Sequence, residues 1–148
     1  MRRLGPPTTI TWGENNKTTG IRSITRSAKD TRFEHRAPAG DANPYLAIAA
    51  VLAAGIRGLE DELEPPAEYM GMAWGLPPSA EVERLPNSIT RAGDTLRTDE
   101  RFAEIMGPEL VRHWLETRRW EWLMFHTTGG DPDAPTGPWE LERYFEVV

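Results

Sequence analysis

Short β-prone runs at the start of the chain predict strands. Thr8 to Trp12 is rich in threonine and isoleucine, Lys17 to Thr25 has the same character, and Thr31 to Ala37 alternates charged with other side chains. A turn signal at Gly13-Glu14-Asn15-Asn16 separates the first two runs. The pattern predicts an antiparallel ribbon of three strands over residues 8–37, which needs something to pack on.

An almost wholly apolar helix is predicted next. Asn43 is a favourable N-cap and Pro44 suits the first helical position. The sequence from Tyr45 onward, Y-L-A-I-A-A-V-L-A-A-G-I, predicts helix to about Leu63. A helix that is apolar on all sides belongs inside something larger. We therefore interpret it as a core helix, and expect it to be the most buried element when a partner or oligomer covers it.

The second half of the chain predicts helices joined by loops, with no strands. Residues 65–79 are a loop, and helices are predicted at residues 79–85, at 87–96, after a cap at Thr98, and from about 108 to 126. The last helix has one apolar stripe, and Arg118, Arg119 and Glu121 lie off it as solvated or paired charges. A loop at 127–138 precedes an amphipathic tail that should dock. The predicted fold class is α+β, a short antiparallel β ribbon followed mostly by helices.

Composition narrows the class of protein. The chain has 148 residues, which favours one domain, and no cysteine, which excludes a disulfide framework or a thiolate metal site. The longest apolar run, Tyr45 to Ile56, is shorter than the roughly 20 residues that a membrane-spanning helix needs. No signal peptide is visible at Met1. A cytoplasmic, membrane-free protein is the default expectation.

The charge is unevenly distributed along the chain. The net charge of -6 argues against non-specific nucleic-acid binding. Residues 1–36, however, carry eight Lys and Arg against three Asp and Glu, a balance of +5 that leaves -11 for the remainder. A basic first quarter on an acidic body indicates a local anionic ligand.

The candidate chemistry lies on the third predicted strand. Arg32, Glu34 and Arg36 alternate, so a strand would present all three on one face. Such a face suits a ligand that carries phosphate, carboxylate and a metal ion. The alternative is a solvated sheet face with internal ion pairs. With Lys17 and Arg22 upstream, these are the chemistry candidates, because the three histidines lack metal-ligand spacing and no Gly-rich phosphate loop is present.

Several segments resemble one family. The segments are W-G-E-N-N-K-T-T-G-I-R, R-F-E-H-R, D-A-N-P-Y-L-A-I-A-A-V-L-A-A-G-I and the ending R-Y-F-E-V-V. They closely resemble the C-terminal part of the glutamine synthetase catalytic domain, and the likeness covers nearly all 148 residues. The segment W-G-E-N-N is most similar to the gamma-glutamylpolyamine synthetase branch. The resemblance implies ligation of ammonia or an amine to the gamma-carboxylate of glutamate, with ATP and Mg²⁺ or Mn²⁺, through a gamma-glutamyl phosphate.

The resemblance also implies roles for single residues. Glu34 matches a carboxylate that holds an active-site Mg²⁺ or Mn²⁺, and Arg36 matches an arginine near the reacting carboxylate of glutamate and the transferred phosphoryl group. Arg22 and Arg32 match arginines on the ATP phosphates. Lys17 stands where the family usually has a catalytic-site arginine. With these matches, the ligand-binding interpretation of the charged face is favoured.

Three departures from the family pattern bear on activity. Lys17 keeps the charge but lacks the planar fork of arginine. The loop between Arg3 and Thr8 is shorter than the family's active-site flap and lacks its glutamate, which weakens any match of Arg3 to a substrate-binding arginine. Trp74 stands where adenylylated bacterial members carry tyrosine, so that regulation is not expected here.

The resemblance implies that residues 1–148 form a single partial domain. The N-terminal β-grasp domain and the first half of the catalytic domain, with the other metal ligands, are absent from it. The family's active site spans two subunits, so a homo-oligomer or a separately encoded N-terminal half is the expected partner. The expected function is part of an ATP-dependent glutamate–ammonia or glutamate–amine ligase, inactive without the missing part. The alternative is a non-catalytic remnant or interaction module of the same fold.

Overall fold

The computed structural model describes residues 6–40, 42–133 and 136–145. The chain divides into two compact units, residues 1–87 and 88–148, and each is described by itself. The first holds β1 (Trp12–Glu14), β2 (Ile21–Ile24), β3 (Arg32–His35) and α1 (Pro44–Glu60). The second holds α2 (Ile89–Thr98), α3 (Glu100–Met106), α4 (Pro108–Thr127) and α5 (Pro138–Tyr144). The predicted α+β class is confirmed.

The sheet differs from the predicted ribbon in one pairing. Its order is β1-β2-β3. β2 and β3 are antiparallel, as predicted, but β1 and β2 are parallel, with Trp12 opposite Ile21. The prediction was wrong here because Gly13 and Glu14 belong to β1, and residues 15–20 carry the chain back to the start of that strand. Asn16 supports this return, since its Oδ1 accepts hydrogen bonds from Thr18 N and Thr18 Oγ1 at 2.9 and 2.6 Å.

The predicted strand over Thr8 to Trp12 and the predicted helix over residues 79–85 were also wrong, and for one reason. The two segments run against each other, with an isolated antiparallel bridge between Thr9 and Arg84. Ile10 N donates to Glu83 O at 2.9 Å and Leu85 N donates to Thr8 O at 3.0 Å. These long-range backbone hydrogen bonds replace the intrahelical ones that local propensity predicted.

Residues 66–73, which we call the clasp, form hydrogen bonds with β1 and with the connection between β1 and β2. The Trp12 indole donates to Pro66 O at 2.7 Å, and Tyr69 N donates to Trp12 O at 2.9 Å. Farther along, Asn16 Nδ2 donates to Gly71 O at 2.8 Å, and Ala73 N donates to Thr18 Oγ1 at 2.9 Å. This loop thus fixes both β1 and the connection to β2.

Helix α1 begins as predicted. The Asn43 side chain accepts hydrogen bonds from Tyr45 N and Leu46 N, which satisfies two of the open donors at the helix start. The helix ends at Glu60, before the predicted Leu63. Among its described residues only Ala53 is buried, while a row of large apolar side chains is exposed: Tyr45, Ile48, Leu52, Ile56 and Leu59. Burial of this helix by a partner stays a prediction. No helix in the described ranges is long and apolar enough to cross a membrane.

The helices of the second unit follow the sequence signals closely. Ser88 caps α2, because its Oγ accepts a 3.2 Å hydrogen bond from Arg91 N. The cap of α3 is Asp99 rather than the predicted Thr98, because the Asp99 carboxylate accepts from Phe102 N at 2.9 Å. The long predicted helix at 108–126 is confirmed as α4.

The predicted docking of the tail is confirmed up to α5, which contacts α4, while residues 146–148 of the predicted tail lie outside the described residues. Arg143 Nε and Nη2 donate to the two carboxylate oxygens of Glu121, each at 2.7 Å, and the Tyr144 hydroxyl donates to the same carboxylate at 2.6 Å. The Trp139 ring meets the Phe125 ring edge-on, with centroids 5.3 Å apart. Glu121 is therefore a paired charge that anchors the tail.

This anchor predicts a pH-dependent stability. Hydrogen bonding from Arg143 lowers the pKa of Glu121 to about 2 from its ordinary 4.5. Because the folded-state pKa is depressed, the anchor stabilises fully above pH 4.5 and loses its effect as the pH falls towards 2. We expect Glu121→Gln to lower the urea midpoint of tryptophan fluorescence at about pH 7, and the gap from the wild type to narrow near about pH 2.

Glu116→Gln on the same helix is the matched control, because Glu116 is exposed. It should leave the midpoint unchanged at both pH values. A Glu121→Gln gap that persists undiminished in acid would show that packing, and not charge, anchors α5.

Candidate active site

The charged face predicted from alternation exists, and Glu34 lies at its centre. Pairing of β2 with β3 places Arg22 directly opposite Glu34. Arg22 Nη1 lies 3.1 Å from one carboxylate oxygen and Arg36 Nη1 lies 3.8 Å from the same oxygen. Arg32 Nη2 lies 3.6 Å from the other oxygen. The structure thus brings together four of the five residues that the sequence singled out, and we call them the Glu34 cluster: Arg22, Arg32, Glu34 and Arg36.

The Glu34 cluster has a net positive charge, because three guanidinium groups surround one carboxylate. Their exposure is graded, with 17% of the Arg22 side chain, 29% of Arg36 and 53% of Arg32 accessible. The Nε atoms of Arg22 and Arg36 are buried and have no hydrogen-bond partner among the described residues. Fixed guanidinium donors with spare capacity are what a phosphate or carboxylate ligand requires.

Asn15 is a residue of this site that the sequence reasoning missed. Its Oδ1 accepts a hydrogen bond from Arg22 Nη2, so the two branches of that guanidinium are held by Asn15 and Glu34. Asn15 has φ of 50°, in the left-handed region that asparagine tolerates, and its N donates to Ser23 O at 2.7 Å. Asn15 lies close to Arg22 in the sequence, but the segment Gly13-Glu14-Asn15-Asn16 was interpreted only as a turn.

Lys17 is not part of the Glu34 cluster. It is exposed in the connection between β1 and β2 and forms no ion pair with any described residue. Its backbone is nevertheless ordered by its neighbour Asn16, which bonds both to Thr18 and to the clasp. A catalytic role for Lys17 stays a prediction. Arg3 lies outside the described residues.

The donor set fits an anion and does not by itself fit a metal ion. Mg²⁺ and Mn²⁺ prefer about six oxygen ligands, and Glu34 is the one carboxylate of the cluster. Within the described ranges, no group of three or more His, Asp or Glu could hold a metal ion. Glu34 can therefore contribute at most one side chain to a metal site that other residues complete.

A metal titration checks this conclusion. We expect calorimetric titration of the chain with Mn²⁺ to show no binding tighter than about 1 mM, because a lone carboxylate among guanidinium groups is a poor ligand set. Glu34→Gln should give the same trace. Micromolar binding lost in Glu34→Gln would mean that these residues contain a complete metal site after all.

Similarity to known proteins identifies the family of the chain. The model of the family described as glutamine synthetase, catalytic domain, matches residues 2–144. The chain belongs to the glutamine synthetase family. The resemblance inferred from the segments around Trp12, Arg32 and Asn43 is thereby confirmed, and so is the catalytic-domain fold.

Relatives within the family include ligases for ammonia and for amines. The chain is 39% identical over 143 residues to type-1 glutamine synthetase 2 of Dictyostelium discoideum, covering 96% of this chain and 26% of that protein. It is 34% identical to a gamma-glutamylethanolamide synthetase of Streptomyces coelicolor, covering 95% of this chain and 28% of that protein. A solved structure described as a GmaS/ADP complex matches with a TM-score of 0.72 at 32% identity, over 95% of this chain and 30% of that one.

The chain thus spans between a quarter and a third of the length of these relatives.

Proposed function

We propose that this chain provides the anion-binding wall of an ATP-dependent glutamate–ammonia or glutamate–amine ligase. The observation that carries the proposal is the Glu34 cluster, in which three guanidinium groups share one carboxylate within 3.8 Å. Membership of the glutamine synthetase family supports the reaction class. The match to an ADP complex of another member supports nucleotide as the source of the phosphoryl group.

The cluster suits phosphoryl transfer for electrostatic reasons. ATP supplies the phosphoryl group that activates the gamma-carboxylate of glutamate, and negative charge develops on the transferring oxygens. Fixed cations stabilise such charge without reorganising during the reaction. In this proposal Arg22 and Arg32 face the nucleotide phosphates, and Arg36 faces the reacting carboxylate. Asn15 and Glu34 hold Arg22 in one orientation, so little conformational entropy is lost when the ligand binds.

The rest of the site comes from residues outside the Glu34 cluster in this proposal. Transfer in line requires glutamate, nucleotide and metal ions to be held together, and the cluster offers one carboxylate. In this proposal a separately encoded N-terminal glutamine synthetase half supplies the remaining ligands, and further copies of the chain only assemble around that shared site. Exposed apolar residues of α1 support an association of this kind, since Tyr45 is 84% and Leu59 is 81% exposed.

The second candidate function is a non-catalytic interaction module of the same fold. The identity of Lys17 favours it, because lysine stands where the family usually has arginine and lacks the planar fork that holds a phosphate with two hydrogen bonds. A protein that kept only the packing role of the domain could lose that phosphate contact without consequence.

An activity assay separates the two. The chain is tested alone and with a co-expressed N-terminal half from the same genome, with ATP, glutamate and ammonia or an amine, by following ADP and the gamma-glutamyl product. We expect no turnover alone, turnover with the half, and loss of that turnover in Arg36→Ala. Turnover by the chain alone would contradict the shared-site proposal. No turnover in either case would favour the interaction module.

A further inference from the structure

A cavity of about 210 Å³ lies in the second unit between α2 and α4. Part of its lining is apolar, from Ile89 on α2 and from Leu115 and Trp122 on α4. Another part is cationic, from Arg97, Arg118 and Arg119. Apolar and aromatic walls with a few charged groups are the usual lining of small-molecule sites.

The positive charge at this cavity contrasts with its surroundings. Residues 88–148 contain twelve Asp and Glu against seven Arg, so the unit as a whole is acidic. Three of the seven arginines nevertheless line this one cavity. Asp94, the acidic residue of the lining, forms an ion pair with Arg97, with Oδ1 and Nη1 2.6 Å apart. Arg118 and Arg119 form no ion pair with a described residue, so the residues of the lining sum to a charge of +2, of which the Glu121 carboxylate offsets part at Arg118.

Arg118 is held in place but retains an unused donor. Its guanidinium lies over the Trp114 ring, 4.4 Å from the centroid. Its Nε is buried and has no hydrogen-bond partner among the described residues, although a buried donor without a partner is unfavourable. The nearby carboxylate of Glu121 does not provide one, because both of its oxygens accept from Arg143 and one also accepts from Tyr144. Arg118 therefore keeps hydrogen-bond donor capacity that its neighbours do not use.

We propose that the α2–α4 cavity binds a small organic anion, a carboxylate or phosphate attached to a flat apolar body. The anionic group faces Arg118 and Arg119, and the apolar body packs against Trp122 and Leu115. The volume is below the roughly 300–1,000 Å³ of pockets for drug-sized ligands, which limits the body to about one ring. The proposal is independent of the ligase function, because none of these residues belongs to the Glu34 cluster.

The test is a titration of the intact chain with phenyl phosphate, followed by nuclear magnetic resonance at the indole N–H of Trp122. Trp122→Phe assigns that signal among the six tryptophans. We expect a saturable shift. Arg118→Gln and Arg119→Gln should each weaken binding about tenfold, the effect of losing one charge-assisted hydrogen bond. Arg112→Gln, an exposed position on the same helix that does not line the cavity, should leave the affinity unchanged.

Two further arms make the outcome decisive. Benzyl alcohol, which has the ring without the charge, should bind at least about tenfold more weakly. Benzoate that binds as well as phenyl phosphate would identify a general anion site, and benzoate that binds more weakly would identify a phosphate site. Arg22→Gln should leave the Trp122 response intact, which separates this cavity from the Glu34 cluster.

An absent or unsaturable shift, equal binding of benzyl alcohol, or an equal loss in Arg112→Gln would overturn the proposal. Arg119 is exposed, so its variant tests the proposal even if Arg118→Gln disturbs the fold.

Discussion

Glu34→Gln is expected to strengthen the binding of pyrophosphate to the chain while it strongly lowers ligase turnover in the reconstituted enzyme. Glutamine keeps the shape of the side chain and removes its charge. Arg22, Arg32 and Arg36 then lose the carboxylate that they share at 3.1 to 3.8 Å, and their field is available to a ligand. We expect the affinity for pyrophosphate to rise about tenfold at low salt.

Turnover should move in the opposite direction. A guanidinium group that is no longer fixed by Glu34 can follow the ligand, so the cations are less well preorganised for the charge that develops during phosphoryl transfer. The resemblance also assigns Glu34 to a metal ion, and glutamine is a poor replacement there. We expect turnover to fall at least about a hundredfold.

Calorimetry with pyrophosphate and the reconstituted ligase assay measure the two effects. Glu81→Gln is the matched control for the change in net charge, since Glu81 is exposed and lies outside the Glu34 cluster. Weaker pyrophosphate binding in Glu34→Gln would show that Glu34 acts mainly by ordering the arginines, and would contradict a competition between the Glu34 carboxylate and the ligand.

Gly20→Ala is expected to destabilise the first unit strongly. A Cβ at this position would lie 2.8 Å from Thr9 O and 3.3 Å from Thr11 O, and both are backbone atoms that cannot rotate away. The carbonyl oxygen of Gly20 also accepts from Arg36 N at 2.9 Å, so relief of the clash displaces an arginine of the Glu34 cluster. Overpacking of this kind costs about 1–3 kcal/mol.

Urea unfolding by circular dichroism gives the stability of the variant. Gly40→Ala serves as the control, because nothing lies within 4 Å of a Cβ built there. We expect Gly20→Ala, but not Gly40→Ala, to lower the urea midpoint. Gly20→Ala should also weaken the binding of pyrophosphate. A midpoint equal to that of the wild type would mean that the backbone around Thr9 adjusts freely.

The features that could be predicted from the sequence depend on local patterns. Alternation at Arg32, Glu34 and Arg36 was sufficient for the shared face, because side chains on a strand alternate between its two sides. The Asn43 cap and Pro44 were sufficient for the start of α1. The roles of the arginines, in contrast, came from the family resemblance and not from spacing.

The features that could not be predicted depend on contacts between distant segments. The parallel pairing of β1 with β2 depends on the path of residues 15–20, and a turn signal fixes the place of a reversal but not its course. The segment at 79–85 has helical propensity, but it pairs with Thr8–Ile10 through backbone hydrogen bonds. Asn15 was missed because its role becomes visible only when Arg22 is folded against it.

The clasp at residues 66–73 has a consequence for the order in which the protein folds. Its hydrogen bonds to Trp12 and Asn16 join residues 54 and 55 positions apart, whereas the helices of the second unit form by contacts along a short stretch of chain. Contacts of long sequence separation slow folding. During synthesis, the strands that carry the arginines therefore lack their hydrogen bonds to the clasp until Ala73 has emerged from the ribosome. In refolding, we expect the helices of residues 88–145 to form first.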